Sequence, residues 1–556
     1  MTETTEALSA TRTRTARAEP AERLGARGFA LGVGACTAGV AAFLLVQLQA
    51  WPPHEDEALA LFVGRTSLGG LLHTVLGQRG GAPLHFLLAW IVAHTGGGLT
   101  GLRVLSALFA IASVPVTAAL CARLVGRDAG LPATVLVSAS WMLLFHGVYG
   151  RMYSLFLFTS TLSAVALLRA LDRGGAKGWA LWGVAILLAV ATHPYGALVL
   201  GAQGIYVAAA RQRWREAAWA FASVGVLAIP FWRTDFVLAG RFDVGVGGGG
   251  EQLGNPSSVF HYLKNVAGDF TAGWTPAVTV VLAVALLGLI QLTRERPRSA
   301  LFVASTIGTP AAAFLLARLG HSTSPESRHL IFALPVFAAL VAVGVLATAR
   351  LAPRRVAAVA VLLVACLVPA EVAWGWHKTP QLYRGEAGAR IAARHAAAAW
   401  LARTMRPNDV LFGYEPLFLE AWERGGDVPR LVVPRADSKL AFKTLLATPK
   451  PLGRGVWIFD ASDTNNVERA LTIPVRVPKP RTAFEARTFG PFLIVRTREQ
   501  TGTIRRYLKL ARRVELVGEE LEIGDADVNL TTILQAAGRL ADYERRRADS
   551  RSSVSR

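Results

Sequence analysis

Residues 178–210 read GWALWGVAILLAVATHPYGALVLGAQGIYVAAA, an uncharged run much longer than one membrane crossing. A crossing helix takes about 20 apolar residues. His193-Pro194 interrupts the run near its middle, and a proline with its restricted predecessor favours a helix break there. Because basic clusters stand on both sides, the positive-inside rule predicts two crossings within the run. These clusters are Arg169, Arg173 and Lys177 before it and Arg211, Arg213 and Arg215 after it.

The rest of the chain carries similar apolar runs. Of its 556 residues, 52% are hydrophobic and only 17% are charged, which is apolar for a chain of this length. Because only helices satisfy every backbone group inside lipid without closing a barrel, we expect about eleven transmembrane helices. The expected spans are 28–53, 104–122, 129–150, 152–168, the two halves of 178–210, 217–232, 270–293, 299–317, 330–349 and 356–370.

The chain has a net charge of +21, and arginines recur in the connections between these spans. Arginines stand in short clusters at every second connection and form no single amphipathic stripe, which disfavours nucleic acid as a partner. The rule predicts a multi-pass protein of the plasma membrane, with the N-terminus in the cytoplasm and the region after the last span outside. The alternation of basic connections holds only if the apolar stretch 83–93 does not cross the membrane. That stretch is short for a span.

The composition divides the chain into four parts. Residues 1–27 form a polar, Arg-rich cytoplasmic tail, and 28–376 form the membrane domain, with a long first outer loop at 51–103. Residues 377–500 turn polar, and their alternation of helical and strand-like segments predicts a small extracytoplasmic α/β domain. Residues 501–556 are expected to form a basic and acidic helical tail that is partly disordered.

Charged residues near the spans collect at the outer edge. The first outer loop opens with Trp51-Pro-Pro-His-Glu-Asp-Glu-Ala58, a histidine and three acids directly beyond the first span. These acids fit the start of a solvated helix, whose positive end they complement, or a metal site, although four adjacent residues cannot all face one ion. Other outer connections add Arg151, His193-Pro194-Tyr195 and Glu326-Ser327-Arg328-His329. Together these groups suit an anionic lipid headgroup and proton transfer.

Six motifs follow one another along the membrane region. They are Asp56-Glu57-Ala58, Ala82-Pro83-Leu84-His85-Phe86-Leu87-Leu88, Leu102-Arg103-Val104-Leu105-Ser106-Ala107-Leu108-Phe109, Arg151-Met152-Tyr153-Ser154-Leu155, Thr192-His193-Pro194-Tyr195, and Ser327-Arg328-His329-Leu330-Ile331-Phe332-Ala333-Leu334-Pro335. In order and spacing they resemble the family 39 glycosyltransferases of the GT-C superfamily, which include protein O-mannosyltransferases and aminoarabinose transferases. The chain departs from the family pattern at Tyr149-Gly150, where an acid and a small residue are usual, and at His329, where tyrosine is common.

The resemblance implies the GT-C fold and a glycosyltransferase that takes a hexose or pentose, such as mannose or arabinose, from a polyprenyl-phosphate donor. The acceptor would be a glycan, lipid or protein of the bacterial cell envelope. Asp56 would be the catalytic base, and Arg151 and Arg328 would neutralise the lipid phosphate. Tyr153, His193, Tyr195 and His329 would line the sugar pocket, and Glu57 would orient Asp56 or accept a second hydroxyl. A divalent cation is possible, but no metal site is assigned.

Three other functions fit parts of the sequence. A flippase or transporter of lipid-linked sugars is disfavoured because the predicted spans contain no ionisable residue. A polysaccharide polymerase or ligase would carry its catalytic residues in a large late outer loop. The loop 233–269 is the candidate, and its run Gly247–Gly250 favours a flexible flap instead. An inactive scaffold is disfavoured by the presence of Asp56.

Overall fold

The computed structural model describes residues 24–241, 252–320, 322–425, 431–461 and 472–554. It is a helical bundle followed by a domain with a small mixed sheet, which confirms the predicted fold class. Most of the predicted N-terminal tail and the run Gly247–Gly250 lie outside the described residues.

The bundle contains seventeen α-helices and three short segments of other helix types. In chain order they are α1 Ala26–Val46, α2 Glu55–Gly64, α3 Leu68–His73, a π-helical segment Thr74–Arg79, α4 Pro83–His94, α5 Gly98–Val125, α6 Arg127–Ala139, α7 Trp141–Val148, α8 Tyr153–Arg173, α9 Ala176–Thr192, α10 Gly196–Ala210, α11 Trp214–Leu227, α12 Ile229–Ala239, α13 Pro256–Phe270, α14 Thr275–Glu295, α15 Pro297–Ala317, 3₁₀ segments Arg318–Gly320 and Ser327–Ala333, α16 Leu334–Ala349 and α17 Val356–Lys378.

Within the described ranges, seven helices are long and apolar enough to cross a membrane, or up to nine if each of two bent pairs is one span. The pairs are α6 with α7, bent by 48°, and α11 with α12, bent by 55°. The long run 178–210 is broken as predicted: α9 ends at Thr192, and α10 begins at Gly196. Both halves are apolar but shorter, so the count of about eleven spans stays a prediction.

The basic connections meet at one end of the bundle. Arg123 pairs with Asp172, and the Arg213 Nε donates to the Leu171 carbonyl at 2.9 Å. The Leu24 backbone N–H, next to the N-terminal tail, donates to Asp128 Oδ1 at 2.7 Å. The start of α1 and the second, fourth and sixth connections therefore share one face, as the alternation of charge requires. Which face is cytoplasmic stays a prediction.

Two membrane helices extend further than the sequence predicted. Helix α5 begins at Gly98 instead of 104, and α17 continues to Lys378 instead of ending at 370. As a result each helix contains a fully buried ionisable residue, Arg103 in α5 and Glu371 in α17. The expectation that the spans carry no ionisable residue is therefore corrected.

The first outer loop is itself helical. It holds α2, α3, the π-helical segment and α4, and α2 packs along α4. Helix α4 has 12 residues, which is short for a membrane crossing. Gly64 of α2 allows this close packing, because a Cβ there would lie 2.8 Å from the Ala89 carbonyl oxygen of α4.

The C-terminal domain has a five-stranded sheet of order β2-β1-β3-β5-β4. β1 pairs in parallel with β2 and β3, whereas β5 is antiparallel to β3 and β4. Its elements are α18 Pro380–Arg384, α19 Gly388–Thr404, β1 Val410–Phe412, α20 Pro416–Glu423, β2 Val432–Val433, α21 Ser438–Ala447, β3 Gly455–Asp460, a 3₁₀ segment Arg481–Ala483, β4 Phe484–Phe489, β5 Phe492–Thr497, α22 Ile504–Glu520 and α23 Ala526–Val554.

The predicted helical tail belongs to this domain. Tyr507 of α22 is fully buried and stacks on Trp457 of β3 with a centroid distance of 5.6 Å. Leu508, Ala511 and Val514 lie in the same core cluster as the sheet. The boundary predicted at residue 500 therefore cuts through the hydrophobic core, and α22 completes the domain.

Candidate active site at the outer edge of the bundle

The site is built on the first turn of α2. His54 is the N-cap, and its Nδ1 accepts from the Asp56 backbone N–H at 3.1 Å. Glu57 closes the capping box, since its Oε2 accepts from the His54 backbone N–H at 3.1 Å. This double cap satisfies helix N–H groups that otherwise lack partners. It fixes the turn on which three consecutive acids, Glu55, Asp56 and Glu57, project.

The Glu57 carboxylate is buried and bonded to donors of the protein itself. Its side chain has no exposed surface, and Arg103 donates to both carboxylate oxygens, from Nε at 2.8 Å and from Nη2 at 2.7 Å. The Gly150 backbone N–H donates to Oε1 at 2.7 Å. A Cβ at position 150 would lie 2.9 Å from that oxygen, which accounts for glycine there. Because these donors engage both oxygens, we assign Glu57 a positioning role in place of the predicted substrate contact.

Asp56 points toward the predicted cations. Its Oδ1 lies 3.2 Å from Arg151 Nη1, and its Oδ2 accepts from the Tyr149 hydroxyl at 2.9 Å. Burial by itself raises the pKa of the Asp56 carboxyl, but Arg151 and the other nearby donors and cations outweigh it and hold that pKa below its usual range. The carboxylate is therefore ionised. Tyr149, where the family pattern has an acid, supplies a hydrogen bond to the proposed base.

Arg328 joins the same cluster from the far end of the chain. Its guanidinium lies over the Tyr153 ring at 5.2 Å, pairs with Glu326 at 2.6 Å, and adds to the positive field at Asp56. The Nε of Arg328 and the Nε of Arg151 are both buried without a hydrogen-bond partner in the described part of the chain. Two partly buried guanidinium groups, each with an unused Nε donor, suit an anionic ligand.

Asp269 holds the residue before Arg328. Ser327 donates to its Oδ2 at 2.6 Å, and Lys378 Nζ lies 3.2 Å from its Oδ1. Trp374 Nε1 also donates to Oδ1, at 3.2 Å. These contacts join α13 and α17 to the 3₁₀ segment that carries Arg328. Asp269 carries no signal in the sequence, because it falls at the end of a loop and its partner residues lie far away along the chain.

The predicted sugar-pocket residues stand together. His329 Nε2 lies 3.2 Å from the Tyr153 hydroxyl, and its ring centroid lies 5.1 Å from that of His193 and 5.4 Å from that of Tyr195. The Tyr195 backbone N–H donates to His193 Nδ1 at 3.0 Å. The structure thus brings all four residues of the prediction into one cluster, and Arg328 contacts it through the Tyr153 ring.

Two further histidines border this cluster. His146 lies 4.7 Å from Tyr153 between ring centroids, and both of its ring nitrogens are buried without a partner among the described residues. His85 Nε2 is likewise buried and unpartnered, and it lines a cavity beside Arg151. In the sequence His85 belongs to one of the six motifs, and His146 lies within a predicted span. Their ring nitrogens are available to donate to, or accept from, a polar ligand.

The cavity beside Arg151 has both polar and apolar lining residues. The polar ones are His85, Ser106 and Arg151, and the apolar ones are Leu88, Leu102, Leu105, Phe109 and Leu155 from α4, α5 and α8. No group of three or more His, Cys, Asp or Glu side chains in the described ranges is arranged to hold a metal ion.

The chain shares its fold with ArnT from Cupriavidus metallidurans, as the comparison with solved structures shows. ArnT from Cupriavidus metallidurans bound to undecaprenyl phosphate matches with a TM-score of 0.53 and 16% identity, covering 85% of this chain and 98% of that chain. ArnT from the same organism in the apo state matches with a TM-score of 0.52 and 16% identity, covering 84% of this chain and 98% of that chain.

An oligosaccharyltransferase from Archaeoglobus fulgidus, in complex with Zn and sulfate, matches with a TM-score of 0.47 and 12% identity. That match covers 77% of this chain and 68% of the other. No family model and no curated protein matches the chain in sequence.

Proposed function

We propose that the chain is a membrane glycosyltransferase that moves a sugar from a polyprenyl-phosphate donor to a cell-envelope acceptor at the outer face of the plasma membrane. One observation carries the proposal: the Asp56 carboxylate lies 3.2 Å from Arg151, which also lines a cavity with apolar side chains of α4, α5 and α8. An acid able to take a proton thus stands next to a cation suited to the leaving phosphate. The undecaprenyl phosphate bound to ArnT, a protein of the same fold, supports this class of donor.

The proposed reaction is a single displacement. The acceptor oxygen attacks the anomeric carbon while Asp56 takes the proton from the acceptor hydroxyl. The bond between the anomeric carbon and the phosphate oxygen breaks, and the lipid phosphate leaves with the electron pair. Arg151 and Arg328 stabilise the phosphate in a partly dehydrated site, where fixed positive groups are most effective. Attack from the side opposite the phosphate inverts the anomeric configuration.

The apolar part of the cavity is the proposed place for the start of the lipid tail. With the phosphate at Arg151 and His85, the first isoprene units would contact Leu105 and Phe109 of α5 and Leu155 of α8. Tyr153, His193, Tyr195 and His329 form a group that Arg328 contacts through the Tyr153 ring, and their aromatic and imidazole rings suit the faces and hydroxyl groups of a sugar. Donor head, tail and sugar thereby each have a separate lining.

A donor panel tests the proposal. Purified protein in lipid vesicles is incubated with labelled polyprenyl-phosphate sugars, including mannosyl and arabinosyl donors, and with envelope extracts as acceptors. We expect transfer from at least one donor, with inversion at the anomeric carbon measured by NMR of the product. Retention of configuration, or no transfer from any donor by protein of verified fold, would contradict it.

Transport of a lipid-linked sugar is the second candidate. The observation that favours it is Glu371, a buried carboxyl in α17 whose two oxygens lack hydrogen-bond partners in the described structure. Ionisable residues within spans mark the pathway of many transporters. The transferase is preferred because Asp56, Arg151 and Arg328 converge at the membrane edge. Movement of a fluorescent lipid-linked sugar across vesicles, with no transfer to acceptor, would favour the transporter.

A further inference from the structure

Helix α2 lies between the membrane bundle and the C-terminal domain. On the bundle side its Glu57 is held by Arg103. At its far end Phe62 packs on Trp422 of α20 with a centroid distance of 5.2 Å. Arg65, just beyond the helix, lies over the same Trp422 ring at 4.3 Å. The helix that carries Asp56 is therefore also an interface element of the C-terminal domain.

The first residue of α2 is held by the C-terminal domain. Glu55 Oε1 accepts from the Tyr414 backbone N–H at 3.0 Å, and Glu55 Oε2 lies 3.5 Å from Arg435 Nη1. Arg435 also pairs with Glu415 and donates from Nη2 to the Ile458 carbonyl at 3.0 Å. Glu55 thus anchors one side of the turn whose other side Glu57 anchors in the bundle. Asp56 lies between the two anchors.

Arg435 is held in one place by the sheet. It follows β2, and its guanidinium lies over the Phe412 ring of β1 at 5.8 Å. Gly413, at φ +79°, makes room for it, because a Cβ there would lie 2.4 Å from Arg435 Nε. Ligand-binding residues of α/β sheets commonly stand at the carboxyl ends of parallel strands. In this chain Arg435, at that edge of the sheet, contacts Glu55 of α2, the helix that carries Asp56.

We propose that Arg435 is a positioning residue for the sugar transfer proposed above, acting through Glu55 to set the direction of Asp56. The inference rests on the proposed function. Without the guanidinium, Glu55 has one hydrogen bond to the C-terminal domain and an uncompensated charge beside Asp56. One of the two anchors of the first turn of α2 is then weakened, and misplacement of a catalytic group by about 1 Å costs up to a hundredfold in rate.

The test compares Arg435→Gln with Arg390→Gln. Arg390 is a matched control, because it is a half-buried arginine of the same domain, paired with Glu386 and Asp460, and within the described residues it makes no polar or ring contact with α2. We expect Arg435→Gln to lower kcat by about tenfold or more and to change the donor KM by less than about twofold, since Arg435 contacts no donor group. Arg390→Gln should keep the wild-type kcat.

Charge neutralisation and hydrogen exchange separate positioning from general damage. The double variant Glu55→Gln/Arg435→Gln should recover part of the lost kcat, since it removes the Glu55 charge beside Asp56, although Glu415 keeps its charge. Exchange of the backbone N–H groups of α2 should speed up in Arg435→Gln and stay unchanged in Arg390→Gln. Equal losses of kcat in both single variants, or an unchanged kcat in Arg435→Gln, would overturn the proposal while leaving the transferase assignment intact. If wild type transfers no sugar, the proposed function fails instead.

Discussion

Glu57 and Arg103 form a two-point ion pair inside the bundle, with side-chain exposures of 0% and 1%. The same guanidinium donates from Nη1 to the Trp51 carbonyl at 2.7 Å, so one arginine of α5 fixes both the end of the first span and the start of α2. Each of the three consecutive acids meets an arginine from a different part of the chain: Glu55 with Arg435, Asp56 with Arg151 and Glu57 with Arg103.

The buried pair predicts a large effect on stability. Replacing Glu57 with Gln leaves the Arg103 charge buried and uncompensated, which costs about 3–5 kcal/mol. Thermal unfolding of the detergent-solubilised protein measures the loss. Glu544→Gln is the matched control, because Glu544 pairs with Arg505 at the surface, where an exposed pair contributes less than about 1 kcal/mol. Equal melting temperatures for the two variants would contradict the structural role of Glu57.

The charge around Asp56 predicts a pH dependence. Asp56 accepts a proton only when ionised, so activity is present above its pKa and is lost as the pH falls through it. In the free enzyme that pKa lies below the usual range, and the acid limb of kcat/KM should lie correspondingly low. A bound phosphate offsets the charges of Arg151 and Arg328, so the pKa should rise. The acid limb of kcat, measured at saturating donor, should therefore lie at higher pH. Coincident limbs would count against this coupling.

The hydrogen bond from Ser327 to Asp269 predicts an effect on donor binding. Ser327→Ala frees the segment that carries Arg328, so the donor KM should rise about three- to tenfold with a smaller change in kcat. Steady-state kinetics with varied donor concentration provide the measurement. Ser324→Ala is a control in the same connection, and this buried serine lies outside the Asp269 contacts. An unchanged KM in Ser327→Ala would show that the hydrogen bond to Asp269 does not position Arg328 for donor binding.

Glu371 distinguishes transferase from transporter. A buried carboxyl without a partner destabilises the fold, so Glu371→Leu should stabilise the protein by about 1–3 kcal/mol. Transfer activity should stay within about twofold of wild type, because no contact joins Glu371 to the site. Melting temperature and transfer rate are measured on the same preparation. Loss of activity in a stable variant would instead place Glu371 in a functional pathway.

Much of the fold could be predicted from local patterns. Apolar length and alternating charge located most of the helices, and Pro194 located the break between α9 and α10. The ends of α5 and α17 were missed because Arg103 and Glu371 interrupt the apolar pattern, although tertiary contacts bury both. The boundary at residue 500 failed for a related reason: the basic residues of α22 suggested a tail, whereas its apolar face packs on the sheet.

The candidate-site residues that lie within sequence motifs could be predicted from the sequence. Asp56, Arg151 and Arg328 were identified from separate outer connections, and the structure brings them together. The residues that hold them in place were not identified. Arg103, Asp269 and Arg435 act through partners distant in sequence, and no spacing rule connects such pairs. For Arg103 the available signal was a charge within a quoted motif at the edge of a span.

Transfer by Asp56→Asn is the most direct measurement of the central claim. The substitution keeps the size of the side chain and removes its ability to take a proton. At matched protein levels we predict a transfer rate about 10²- to 10⁴-fold below wild type, the usual contribution of a general base. Asp527→Asn, the same exchange at an exposed position, should transfer normally. Transfer by Asp56→Asn at the wild-type rate would contradict the account.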